Sequence, residues 1–394
     1  MLRTIEQINA KIKSGKIVVA TAEEVVGLVN EKGVKRAAKE VDVVTTGTFG
    51  PMCSSGAYFN IKQSTPKIKL GGGRVTLNGV VAYAGWAAAD ILIGANALPD
   101  DDPRNAVYPG LFKYGGAHII EDLLAGKKVR LEAKAYGTDC YPRKEYSAEL
   151  GLEDFNNAVL FNPRNCYQLY NVAVNLSERT IYTYMGVLKP RLGNANYSTT
   201  GALSPLLKDP ELRTIGIGTR VFMGGGEAYV AFNGTQHVPN PERDANGLPL
   251  SPSATLALIG DLKTMDTRFV RAASVIGYTS TLALGVGVPI PIVDEKVMAQ
   301  AALADEDITY PIVEYSESYP LGRPGNLGRV SMAQLMSGRI EVDGKKVPTG
   351  GMASRAKGRA VALELKRLIS EGRFLLTQAT APLPGAALAW EEEA

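Results

Sequence analysis

The chain has 394 residues, 45% of them hydrophobic, enough for a sizeable core and for roughly two or three domain-sized units. Its 43 basic and 40 acidic side chains leave a net charge of +3, with no basic stripe suited to nucleic acid and no long like-charge tail. The opening MLRTIEQINAKIKSGK is charged throughout, which excludes a secretory leader, and three cysteines without such a leader fit reduced thiols in the cytoplasm.

Residues 4–13 place Ile5, Ile8 and Ile12 on one helical face. A short strand over 17–20 follows, and Thr21-Ala-Glu-Glu24 has capping-box spacing, so a second helix starts there. Residues 41–46 read as a buried strand ending in the glycine-punctuated loop Thr46-Gly-Thr-Phe-Gly-Pro-Met-Cys-Ser-Ser-Gly56. Residues 74–83 form a hairpin over Asn78-Gly79. Residues 86–97 are small and apolar, a helix or a buried turn region. A helix over 118–125 stops at Gly126. Residues 128–136 alternate apolar with charged side chains, a half-buried strand that leads directly to Gly137-Thr-Asp-Cys140.

The middle is β-rich, with strands over 171–175 and 180–188 joined by a short turn, and two more over 214–232 broken by Gly224-Gly-Gly226. The uncharged run between Arg271 and Asp294 is long enough to span a bilayer. Its hydroxyl side chains and its Gly-Val-Gly-Val-Pro-Ile-Pro end favour a buried helix followed by an extended turn. A short helix over 331–337, a hairpin over Asp343-Gly344 and a long helix over 353–371 complete the chain. These elements predict a mixed α/β (α+β) fold, one large or two intimately packed domains, with several β-hairpins and a long C-terminal helix. A loop-rich stretch near 240–250 separates region 1–240, carrying Cys53 and Cys140, from region 241–380 packed on it. Residues 381–394 read as a loose tail.

Cys140 follows a strand end, and Arg143 and Lys144 lie close in sequence; neighbouring cations favour the nucleophilic thiolate. Pro142 stiffens the loop, and Asp139 can orient a partner group. Cys53 sits in a tight loop whose backbone N–H groups, with Ser54 and Ser55, can hold an anion or a thiolate. An inert buried cysteine is the competing reading for each, and the preferred one for Cys166. His118 opens a helix and His237 follows a turn; either could pair with a cysteine, though a structural histidine is the simpler reading. Arg143, Arg164, Arg220 and Arg355 lie in loops or at element ends, and a carboxylate substrate wants one such planar fork. The glycine-rich segment 216–227 lacks both the dinucleotide and the Walker patterns.

The segments Val43-Val-Thr-Thr-Gly-Thr-Phe-Gly-Pro-Met-Cys-Ser-Ser-Gly-Ala57, Tyr136-Gly-Thr-Asp-Cys-Tyr-Pro-Arg143 and Gly277-Tyr-Thr-Ser-Thr-Leu-Ala-Leu-Gly-Val-Gly-Val-Pro-Ile-Pro291 resemble the homocysteine-biosynthesis family of anaerobic archaea and bacteria. The resemblance runs over nearly the whole chain. It implies a sulfurtransferase that converts L-aspartate semialdehyde and a sulfide-derived sulfur to L-homocysteine, a methionine precursor. Sulfur would ride on a Cys140 thiolate as a persulfide, with Cys140 the essential residue and Cys53 able to resolve a disulfide with it. Tyr141, Asp139 or His118 would act as general acid, and Arg164 or Arg220 would bind the substrate. A ferredoxin-like electron donor would act in trans, the enzyme could be a homo-oligomer, and neither nucleic acid nor membrane is involved. Rival readings are an iron–sulfur enzyme ligated by Cys53, Cys140 and Cys166, a nicotinamide-dependent aldehyde oxidoreductase, and a non-catalytic binding subunit.

Overall fold

The structure, a computed structural model, describes residues 3–316 and 327–390. Helix Ile5–Lys13 begins where Thr4 Oγ1 accepts from Gln7 N while Gln7 Oε1 accepts from Thr4 N, and it buries Ile5, Ile8 and Ile12. Thr21 and Glu24 exchange the bonds expected of their spacing, at 2.7 and 3.2 Å, ahead of helix Glu24–Lys32. Asn78 and Gly79 take φ values of 46° and 78°, as a tight hairpin turn between Arg74–Leu77 and Val80–Ala82 requires. Strand Val129–Lys134 buries Val129, Leu131 and Ala133 in a four-stranded antiparallel sheet. Asp343-Gly344 turns the hairpin Arg339–Val342 to Lys345–Gly351, and Ser354 caps the C-terminal helix Arg355–Ser370.

The organising element is a nine-stranded sheet in which every pairing is antiparallel. Its spine is the long strand Phe155–Asn165, between Leu256–Asp261 on one side and Gly56–Ile61 on the other. Strands on both sides of residue 240 belong to this one sheet. A six-stranded mixed sheet has its own core, with Val172, Val174, Ile312, Leu335 and Val347 buried together.

Three expectations change. The run after Arg271 is no helix: Val270–Val275 and Thr279–Gly287 form a hairpin. Thr279–Gly287 touches both helix Gly116–Leu124 and the C-terminal helix, and nearly all its side chains are buried. A strand covered on both faces loses its alternation and reads as one apolar run, which periodicity alone cannot tell from a buried helix. Residues 86–97 contain strand Asp90–Gly94 flanked by turns, in place of a helix. Strand Val172–Val174 pairs with Thr309–Glu314 and Ala195–Tyr197, while Ile181–Thr183 and Gly186–Leu188 make a separate hairpin.

The tail expectation is also corrected. Ala381–Pro382 pairs with Gly216–Ile217, Ala389 N donates to Arg213 O at 2.8 Å, and Leu383 and Leu388 are buried. Apolar side chains spaced along 383–389 hold this segment down. Residues 391–394 lie outside the described residues. Among the described residues, no helix is long and apolar enough to cross a membrane.

Candidate active site

Strand Thr48–Pro51 pairs with Thr279–Gly287, whereas Gly56–Ile61 pairs with the long strand Phe155–Asn165. The chain must cross between these neighbours, and Met52–Ser55 makes the crossing. Met52 N donates to Leu282 O at 2.8 Å, and Ser55 donates to Met52 O from both N (3.1 Å) and Oγ (2.9 Å). Cys53 is thereby held in a pinned turn, half-buried, its residue lining a cavity of about 480 Å³.

The opposite wall comes from the end of the long strand. Its pairing with Leu256–Asp261 slips between Asn162 and Asn165, a bulge around Pro163 that re-aims the side chains after it. Asn162 is fully buried and holds both walls: its Nδ2 donates to Ser55 Oγ at 2.8 Å, and its Oδ1 accepts from Arg164 N at 2.9 Å. Arg164 lines the cavity; its Nε is buried without a hydrogen-bond partner, and its guanidinium carbon lies 5.9 Å from the Tyr167 ring centroid. Cys166 also lines the cavity, with φ of 51° and only 3% exposure, and burial pushes its thiol pKa up, keeping it protonated.

Tyrosines form much of the remaining wall. Burial raises the pKa of the Tyr278 hydroxyl, and the Cys53 sulfur beside it adds to the effect while Arg164 opposes it. Tyr170 Oη donates to Tyr184 Oη at 3.0 Å, and Tyr184 Oη to Tyr315 Oη at 3.1 Å, a hydroxyl chain that starts at the cavity.

Cys140 lies elsewhere. It sits exposed on the turn after Val129–Lys134, which Thr138 and Tyr141 close by exchanging backbone bonds of 2.9 and 3.1 Å. Thr138 Oγ1 is 3.5 Å from its sulfur. Arg143, expected to bias this thiol, donates instead to Thr65 O at 2.6 Å and lies over Tyr146. Asp139, Tyr141 and His118 do not line the Cys53 cavity either. His118 stacks on Tyr114, its Nδ1 3.3 Å from Ser280 Oγ, and burial lowers its pKa. His237 lies 3.0 Å from Pro384 O through Nε2. Of the candidate pair for substrate, Arg220 is committed to Glu227, Leu375 O and the Phe374 ring, away from the cavity.

The three thiols are therefore not gathered. Cys53 and Cys166 share a cavity that Cys140 does not line, and among the described residues no three His, Cys, Asp or Glu side chains are placed to hold a metal ion. This donor set does not fit a cluster ligated by Cys53, Cys140 and Cys166 within one chain.

Ser54 donates to Arg164 O at 3.4 Å, which ties the cysteine loop to the Arg164 backbone. Sequence reading named Ser54 and Arg164 but missed Asn162 and Tyr278. Pro163 inside a strand-like run was the available signal for the bulge, since proline enters strands chiefly at bulges and edges.

The model of the family described as "Homocysteine biosynthesis enzyme, sulfur-incorporation" matches residues 17–376. The chain is 48% identical over 391 residues to the L-aspartate semialdehyde sulfurtransferase of Methanocaldococcus jannaschii, covering 96% of this chain and 72% of that protein. It is 47% identical over 378 residues to the L-aspartate semialdehyde sulfurtransferase of Methanosarcina acetivorans, covering 95% of this chain and 71% of that one. No solved structure matches it. By the family match and by these identities, the chain belongs to the homocysteine biosynthesis, sulfur-incorporation enzyme family.

Proposed function

We propose that this protein is a sulfurtransferase that replaces the aldehyde oxygen of L-aspartate semialdehyde with sulfur, giving L-homocysteine. The observation that carries the reading is the half-buried Cys53 in a cavity of about 480 Å³, with the exposed Cys140 outside it. The volume suits a small metabolite, and the relatives' names supply the substrate.

The division between an exposed and a sheltered thiol suits two tasks. Cys140 meets a sulfane-sulfur donor, a polysulfide or another persulfide, and takes its outer sulfur as a persulfide while the remainder of the donor leaves as sulfide or thiol. The turn 137–144 then approaches the cavity and passes the outer sulfur to Cys53, leaving a Cys140 thiolate; no electrons are needed for that exchange. The Cys53 persulfide attacks the aldehyde carbon. Two electrons cleave the sulfur–sulfur bond and free the Cys53 thiolate, water leaves to give a thioaldehyde, and two further electrons and two protons reduce it to the thiol. An external ferredoxin-like donor supplies the electrons, a chemistry at home in the cytoplasm. Tyr278, beside Cys53, serves as a proton donor for the departing oxygen.

The test is homocysteine formation from L-aspartate semialdehyde, polysulfide and a low-potential reductant. Cys140→Ala abolishes it, because the sulfur never arrives. Cys53→Ala abolishes it too, because no persulfide is left in the cavity to attack the aldehyde. Full activity in Cys140→Ala overturns the proposal.

A further inference from the structure

We infer that Arg164 reads the carboxylate of the substrate and thereby restricts the enzyme to acidic aldehydes. The inference rests on the Cys53 cavity being the substrate site.

The charge of the cavity points to its ligand. Among the described residues that line it, Arg164 is the one charged side chain; the others are hydroxyl, amide, thiol, thioether or apolar. A guanidinium beside a half-closed cavity, with no carboxylate in the same wall, favours an anionic guest, because screening by water is reduced there. The other arginines considered are already satisfied. Arg355 pairs with Glu23 and Asp305 at 2.9 and 2.8 Å, Arg220 pairs with Glu227, and Arg143 donates to Thr65 O.

Arg164 also carries an open bonding position. Its Nε is buried and has no acceptor, an arrangement that costs stability until a guest supplies one. A carboxylate supplies two oxygens in the spacing of the guanidinium fork. The aim is fixed as well: the bulge orients the side chain, and Asn162 and Ser54 lock its backbone to the cysteine loop. A substrate gripped by its α-carboxylate therefore presents its far end, the aldehyde, at a set distance from the anchored group.

The test compares L-aspartate semialdehyde with 3-aminopropanal, the same aldehyde without its carboxylate, in the wild type, Arg164→Gln and Arg164→Lys. Arg164→Gln lowers kcat/KM for L-aspartate semialdehyde on the order of 100-fold while leaving 3-aminopropanal within about 3-fold. Arg164→Lys falls between, since it keeps the charge but loses the fork. Equal losses on both aldehydes, or no loss on either, overturn the inference. If the wild type forms thiol from neither aldehyde, the proposed activity fails separately. Calorimetric binding of L-homocysteine then decides the role of Arg164: binding lost in Arg164→Gln supports it, and unchanged binding overturns it.

Discussion

Asn162 donates its side-chain amide to Ser55 Oγ at 2.8 Å, which ties the cysteine loop to the strand end bearing Arg164. The two walls of the cavity come from segments about a hundred residues apart in sequence, and this buried amide, with the Ser54–Arg164 O bond, ties them together. Asn162→Ala leaves the Ser55 hydroxyl and the Arg164 N–H without that partner. We expect a loss of about 1–3 kcal/mol in urea unfolding, with homocysteine formation down roughly 10-fold or more as the loop and Arg164 drift apart. Unchanged turnover in the variant would show that the coupling is only structural.

The three thiols differ in access, and alkylation with iodoacetamide followed by peptide mass mapping reads this directly. Cys140 is exposed, Cys53 half-buried and Cys166 buried with its thiol held protonated. Native protein should label first at Cys140, then at Cys53, and at Cys166 only once denaturant is added. Fast native labelling of Cys166 would contradict the described packing.

Lys208 gives the protein a pH signature. Its side chain is fully buried with Nζ donating to Leu303 O, and burial pulls its pKa down to about 7 against the opposing pull of Asp305 and Asp307. An unfolded lysine titrates near ~10.4. Between those values the unfolded chain binds more protons, so this group makes stability rise as pH climbs from about 7 towards about 10; below about 7 its full penalty is present. Lys208→Met should flatten that rise, read as the change in urea midpoint between about pH 7 and about pH 9.5. An identical slope in both proteins would remove Lys208 as its source.

Gly47 joins strands Val43–Thr45 and Thr48–Pro51, against both of which the C-terminal helix packs. A Cβ there would collide with the carbonyl of Gly358 and sit 2.9 Å from Ala362 N, both rigid helix backbone. Gly47→Ala should cost about 1–3 kcal/mol by overpacking, seen as a lower melting temperature. A variant as stable as the wild type would mean that the helix slides without penalty.

Removing residues 381–394 should destabilise the protein instead of trimming a free end. Leu383 and Leu388 are 1% and 0% exposed, and each fully buried leucine contributes about 1.5–3 kcal/mol. A truncated chain with an unshifted melting temperature would restore the view of a dispensable tail.

Local chemistry carried much of this fold into the sequence. Asn78-Gly79 and Asp343-Gly344 turned hairpins because few residues tolerate left-handed backbone. Ile5, Ile8 and Ile12 announced the first helix by their spacing, and Thr21 announced the second by side-chain bonds that span three residues. Cys53 and Arg164 were both visible as candidates because each sits in a loop or strand-end setting unusual for its type. Each of these signals lies within a few residues, so no knowledge of the fold is needed to read it.

The rest depended on which segments meet. Thr279–Gly287 is a strand because both its faces are covered by distant helices, and cover of that kind leaves no period in the chain itself. That Arg164, and not Arg220 or Arg143, faces Cys53 follows from a bulge whose register is set by strand Leu256–Asp261. Cys140 and Cys53 look equivalent as sequence, yet they end on different sheets, one exposed and one half-buried in a cavity wall. Which side chains share a cavity is fixed by long-range strand pairing, and that pairing is a property of the folded chain.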